Sequence, residues 1–223
     1  TLQFTTFARL RQKDLQFLPD AKSPPQSLEF FGNTRSPIYT FKGGNRLPIY
    51  KAAELTAWHD ARTANPRQPP PLPAPVAIAD IPPGLSRALL LFIPVRNSPP
   101  GEPKLRIYVV DDSPRTLPAG YAAVINASGR EYKAQLGDKI LDVPHGIGGK
   151  VPAKGTVELR LAAQDNNGWV ISGRHTFKLG DNDRASLVFF PPTSPTGIAP
   201  IIRTLIETMP DQVPSTLAAN SGH

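Results

Sequence analysis

The chain reads as an all-β protein, an immunoglobulin-like β-sandwich with additional N-terminal strands and at most one short helix. Three observations lead there. Apolar runs of strand length recur along the 223 residues, with 27 prolines and 17 glycines spread between them, which suits many strands joined by turns. The longest run, 88–95, is apolar on both faces, because Leu89, Leu91 and Ile93 alternate with Leu90, Phe92 and Pro94. Such a strand belongs in the centre of a sheet or under a second layer. No apolar stretch approaches the roughly 18 residues of a membrane-spanning helix.

Taken in order, the first 27 residues place Phe4, Phe7, Leu10, Leu15, Phe17 and Leu18 among Arg9, Arg11 and Lys13. That spacing fits an amphipathic helix or an edge strand, packed on the body as an arm. Leu28–Phe31, Pro37–Lys42 and Leu47–Lys51 read as short strands, with turns at Gly32-Asn33 and Gly43-Gly44-Asn45. Ala52–Arg62 reads as a helix ended before Pro66. PRQPPPLPAP, residues 66–75, is a stiff polyproline connector. Its Arg67, Pro70 and Pro73 match the spacing of a proline-rich recognition peptide, and its composition alone produces that match.

Strands follow at Val76–Ala79, Arg87–Val95, Leu105–Val110, Tyr121–Asn126, Ser186–Phe190 and Ile201–Ile206. Two hairpins can be argued to their register. A Gly137-Asp138 turn sets Tyr132 opposite Val143, Lys133 opposite Asp142 and Ala134 opposite Leu141, with the charged pair on one face and the apolar pairs on the other. In TVELRLAAQDNNGWVISGRHTFKL, a three-residue loop Asn166–Gly168 sets Val157 opposite Phe177, Leu159 opposite His175 and Ala163 opposite Ile171. The resulting organisation is an arm with packed strands over 1–65, a connector at 66–75, the sandwich core at 76–206 and a disordered tail at 207–223.

Composition narrows the chemistry. With no cysteine there is no disulfide framework, thiol nucleophile or Cys-ligated zinc. The formal charge of +7 favours acidic partners, but the basic residues are scattered and mostly lie beside acidic ones, as on an ordinary soluble surface. The chain begins at Thr1, so a removed signal peptide or anchor is compatible with it.

Asp111 and Asp112 form the most suggestive polar pair, since adjacent carboxylates after a strand can hold a cation or perturb one another. An Asx-type turn before Pro114 accounts for them more simply. Asp181-Asn182-Asp183 reads as a hairpin tip. His59, His145, His175 and His223 share no metal-ligand spacing. His145–Lys150 lacks the glycine and hydroxyl positions of a phosphate loop and reads as a flexible connection. Trp58 and Trp169 are candidates for stacking on sugar rings. No catalytic set, metal site or cofactor site is expected.

Asp111-Asp112-Ser113, Pro118-Ala119-Gly120, Asn126 and Gly168-Trp169 together resemble a pattern found in secreted or envelope β-sandwich proteins of Gram-negative bacteria, whose biochemical role is unknown. The resemblance implies a sandwich in the periplasm, at the cell surface or secreted, and no catalytic residues. The expected function is therefore non-enzymatic: protein–protein interaction or a pilus-like surface assembly, with a protein partner or a second copy. The alternative is a carbohydrate- or polyanion-binding module. Contacts are expected from Asp111, Asp112, Trp58, Trp169 and Arg67, and no nucleic-acid partner is expected.

Overall fold

The computed structural model describes residues 1–9, 14–95, 105–166, 168–194 and 196–210. Its elements are β1 (Leu2–Ala8), β2 (Leu15–Phe17), β3 (Gln26–Ser27), β4 (Tyr39–Phe41), β5 (Arg46–Lys51), α1 (Ala52–Ala64), β6 (Ala77–Asp80), β7 (Arg87–Pro94) and β8 (Leu105–Asp111). There follow β9 (Tyr121–Asn126), β10 (Tyr132–Leu136), β11 (Lys139–Val143), β12 (Gly146–Pro152), β13 (Gly155–Asp165), β14 (Gly168–Leu179), β15 (Asp183–Phe190) and β16 (Ile201–Thr208). The all-β sandwich expectation holds.

Among the described residues four four-stranded sheets form, ordered β3-β2-β5-β6, β4-β1-β7-β8, β12-β9-β15-β16 and β11-β10-β13-β14. Each strand of the first eight has a counterpart eight places later, with the same neighbours. Thus β1 runs parallel to β7 as β9 runs parallel to β15, and every other pairing in both halves is antiparallel. The chain is a tandem repeat of one eight-stranded sandwich.

Three apolar layers follow from this. Phe4, Phe17, Leu47, Ile49, Leu90 and Phe92 fill the first sandwich. Tyr132, Leu136, Leu159, Leu161, Leu187 and Phe189 fill the second. Between the halves, Phe7, Leu89, Leu91, Ile93 and Val110 meet Ile125, Val188, Phe190 and Leu205. This explains the two-faced apolar run in β7: one face serves its own sandwich and the other serves the shared layer. It also explains β1, which is not an edge strand or a helix but a central strand buried on both faces. Residues 10–13 of the expected arm lie outside the described residues.

The proline-rich segment does not separate sheets. It follows α1 within an excursion between β5 and β6, which pair directly with each other from Arg46↔Asp80 to Ile49↔Ala77. Sheet partners change instead between Asp111 and Tyr121, where β8 ends and β9 begins. In the second half the corresponding pair, β13 and β14, is a plain hairpin. The proline segment acts as a strap: Trp58 Nε1 donates to the Pro70 carbonyl at 3.0 Å, while Leu55 and Trp58 pack on Tyr50 and Leu18.

The β10–β11 register is the one argued from sequence, with Tyr132↔Val143, Lys133↔Asp142 and Ala134↔Leu141. The β13–β14 register agrees at Val157↔Phe177 and Leu159↔His175 but differs near the turn. Asp165 faces Gly168, Ala163 faces Val170 and Ala162 faces Ile171, and a bulge lies between the Leu161 and Ala162 pairs. The extra residue sits in the strand at Ser172 and not in the loop, which reverses the faces on either side of it. His175 therefore shares the inner face with Phe177, while Trp169 and Ile171 turn outward. Asn167 lies outside the described residues.

Two further expectations change. Leu28–Phe31 forms no strand beyond a bridge at Phe31↔Thr34. His145–Lys150, expected as a loop, lies largely in β12, whose register shifts between Ile147 and Lys150. Its glycines let the strand bulge without leaving the sheet: Gly149 has φ +103°, and a Cβ on Gly148 would stand 2.8 Å from Val143 Cγ1. The last strand runs past Ile206 to Thr208, and Met209 is buried. Residues 211–223 of the expected tail lie outside the described residues.

Candidate functional site: a shared ion cluster and an open cleft

At one end of the layer between the halves lies a buried cluster of charges. Arg184 is fully buried and uses its whole guanidinium. Its Nη1 donates to the carbonyls of Asp112 (3.0 Å) and Leu117 (2.9 Å), its Nη2 to Asp112 Oδ2 (3.0 Å) and Glu207 Oε2 (2.5 Å), and its Nε to Glu207 Oε2 (2.9 Å). Arg87 bonds Glu207 Oε1 at 2.5 Å and approaches Asp112 Oδ2 at 3.5 Å. Arg35 enters from the segment before β4, at 2.6 Å from Asp112 Oδ2 and 3.2 Å from Glu207 Oε2, and also donates to Ser186 Oγ at 3.2 Å.

The cluster follows from the repeat. Arg87 and Asp112 face each other at the start of the β7–β8 hairpin, where Asp112 N donates to Arg87 O at 3.1 Å. Arg184 and Glu207 are paired at the corresponding place in β15–β16. Each arginine reaches both acids, so the two hairpins are cross-linked through their equivalent residues. Burial alone would push the Glu207 carboxyl up, but the charges of Arg35, Arg184 and Arg87 win and hold it below its ordinary 4.5.

A cleft of about 390 Å³ opens beside the cluster, between β8 of the first half and β9 and β12 of the second. Val110, Leu117, Ala123, Ile125 and Ile147 give it apolar walls, Asp112 and Ser186 also line it, and Asp111, Arg115, Thr116 and Lys150 complete it. Tyr108 Oη and His145 Nε2, 2.9 Å apart, join the two halves nearby. On the other side of β8 a second groove, of about 410 Å³, is bounded by Pro75, Ala77, Ile78, Asp80 and Leu105–Ile107.

The two adjacent aspartates have separate roles. Asp111 makes the expected Asx turn: its Oδ1 accepts from Ser113 N at 2.9 Å and its Oδ2 from Thr116 Oγ1 at 2.6 Å. Burial raises the Asp111 carboxyl, and these hydrogen bonds outweigh it, so the net shift is downward. Asp112 is held by the arginines. Asp183 is likewise a turn residue, accepting from Gly180 N and Thr208 Oγ1.

Trp58, Trp169 and Arg67 are not brought to this cleft. Trp58 is buried under the strap, with the Arg62 guanidinium 5.2 Å from its ring centre. Arg67 is exposed on the strap. Trp169 is 44% exposed on the outer face of β14, with Lys133 Nζ 5.1 Å from its ring centre. His175 Nε2 lies 2.7 Å from Thr204 Oγ1, and burial, followed by the Arg203 charge, pushes its pKa down. His223 is outside the described residues.

Sequence reasoning missed Arg35, Arg87, Arg184 and Glu207. A signal for two of them was present: Arg87-Ala88-Leu89-Leu90-Leu91-Phe92-Ile93-Pro94 matches Arg184-Ala185-Ser186-Leu187-Val188-Phe189-Phe190-Pro191 at five of eight positions. Arg87 and Arg184 are the first matched pair. Comparison with known protein families and with curated proteins finds no match for this chain.

Proposed function

We propose that the chain is a non-enzymatic interaction protein that holds an extended segment of a protein partner, or of a second copy, by strand addition along β8. The observation that carries this is the position of β8: among the described residues it is an edge strand paired only with β7, and each of its faces borders a groove. Asp112 N bonds back to Arg87, so antiparallel alternation turns the N–H groups of Ile107 and Val109 away from β7. An added strand would take its main-chain bonds from those groups and send alternate side chains into the two grooves. The immunoglobulin-like character of the sandwiches belongs to the same reading, supported by one parallel pair within otherwise antiparallel sheets in each half. So does an envelope or secreted setting, which rests on the sequence resemblance.

The test is selection of ten-residue peptides from a random display library against the whole chain. Peptides that bind Val109→Ala but not Val109→Pro are the expected result, because proline removes an outward donor while edge strands tolerate it. Selected peptides that bind both variants equally would refute the reading.

A second reading has its own observation. Trp169, with Lys133 beside it, shares the outer face of the β11-β10-β13-β14 sheet with Ile171, which is 71% exposed. An aromatic ring next to a cation suits a polysaccharide or polyanion. Quenching of tryptophan fluorescence by heparin or dextran, lost in Trp169→Ala, would support it.

A further inference from the structure

The repeat allows each wall of the cleft to be compared with its counterpart across the layer. The β8–β12 side holds Val110, Ala123, Ile125 and Ser186. From the strand registers, the equivalent positions on the β16–β4 side hold Leu205, Thr5, Phe7 and Leu89. Every one of these is larger. Arg35 also enters from that side and fills space beside the cluster, whereas the equivalent stretch of β12 carries Gly148 and Gly149. The shared layer is thus close-packed on one side and open on the other.

The opening is chemically polarised. Aliphatic groups form its walls, and two cations stand beside them. Lys150 Nζ has the Thr116 carbonyl at 2.6 Å and the Tyr121 ring centre at 5.8 Å, and both are neutral. Arg115 is exposed and has no hydrogen-bond or ion-pair partner among the described residues. Asp111, ionised in its turn, offsets one of these charges, while Asp112 and Glu207 together face three arginines, so the charge around the opening remains positive.

The geometry points to a binding site for a small aliphatic carboxylate in the cleft between the two sandwiches, its chain against Val110, Ala123, Ile125 and Ile147 and its head group at Arg115 and Lys150. The size lies within the range of small-ligand pockets, and the pairing of an apolar wall with a surplus of cations selects an amphipathic anion over a neutral or cationic one. This site does not depend on strand addition, which uses the outward main chain of β8.

Calorimetric titration of the whole protein with hexanoate, octanoate and decanoate tests it. Affinity should rise about fourfold per added methylene until the cleft is filled. Ala123→Thr with Ile125→Phe, which writes the first half's residues into the second, should abolish binding while thermal unfolding stays cooperative. Arg115→Ala with Lys150→Ala should weaken it about tenfold or more. Equal binding of decyltrimethylammonium, unchanged binding in the folded cleft-filling variant, or no binding of any chain length at millimolar concentration would each overturn the inference.

Discussion

The first sandwich and the second carry the same eight strands in the same order, yet they treat their equivalent edges differently. Beside β8 the space toward β12 is open, and a second groove is lined jointly by β6 and β8. Beside β16 the equivalent positions hold Phe7, Leu89 and Arg35, and Thr204, the counterpart of Val109, has His175 Nε2 of β14 at 2.7 Å. Duplicated topology gives both halves the same scaffold. A few side-chain volumes and one arginine then decide which edge a partner can reach.

That contrast can be attacked at the cluster joining the halves. Arg184 is fully buried and Arg87 keeps a quarter of its side chain exposed, so equivalent substitutions should not cost the same. Arg184→Met leaves two buried carbonyls without a donor and takes from Asp112 and Glu207 the most buried of their three arginines, and is expected to cost about 3–5 kcal/mol. Arg87→Met should cost roughly 1–2 kcal/mol, discounted for its exposure. Urea midpoints measure both, and equal losses would show that burial does not distinguish the repeats.

The same cluster sets a pH dependence. Because the native Glu207 pKa is depressed below 4.5, its stabilisation is complete above that value and is lost as pH falls through the native pKa. Thermal unfolding of the parent should therefore fall in that acid window, and Glu207→Gln should start lower at neutral pH and lose less on acidification. A variant with the parent's acid slope would remove Glu207 from the account.

In β12, Gly148→Ala places a methyl against Val143 of the second sandwich's core and should cost about 1–3 kcal/mol as overpacking. The smallest effect belongs to the surface: Lys133 and Asp142 are 3.9 Å apart and largely exposed, so Lys133→Ala should change stability by less than about 1 kcal/mol.

Much of the scaffold was legible because period-two patterning marks strands wherever one face is wet. Tyr132–Leu136 against Lys139–Val143 could be placed to the residue for that reason. Patterning failed where both faces are buried, so β1 looked like an arm when its second face was covered by β15 and its neighbours. It failed again where a strand bulges, at Ser172 and at Gly148-Gly149, because an inserted residue reverses the alternation that the argument relies on. The site was less legible. Asp112 could be singled out, but its meaning depends on Arg35, Arg87, Arg184 and Glu207, which are distant in sequence and come together only through the stacking of the halves. The proline-rich stretch misled by composition alone; no local feature reports that β5 and β6 pair across it.

The difference between the two edges is tested most directly by amide hydrogen exchange on the complex with a selected peptide. The account predicts slowed exchange at Ile107 and Val109 in β8, with Ile202 and Thr204, their equivalents in β16, unchanged. Equal protection of both strands, or none in β8, would contradict it.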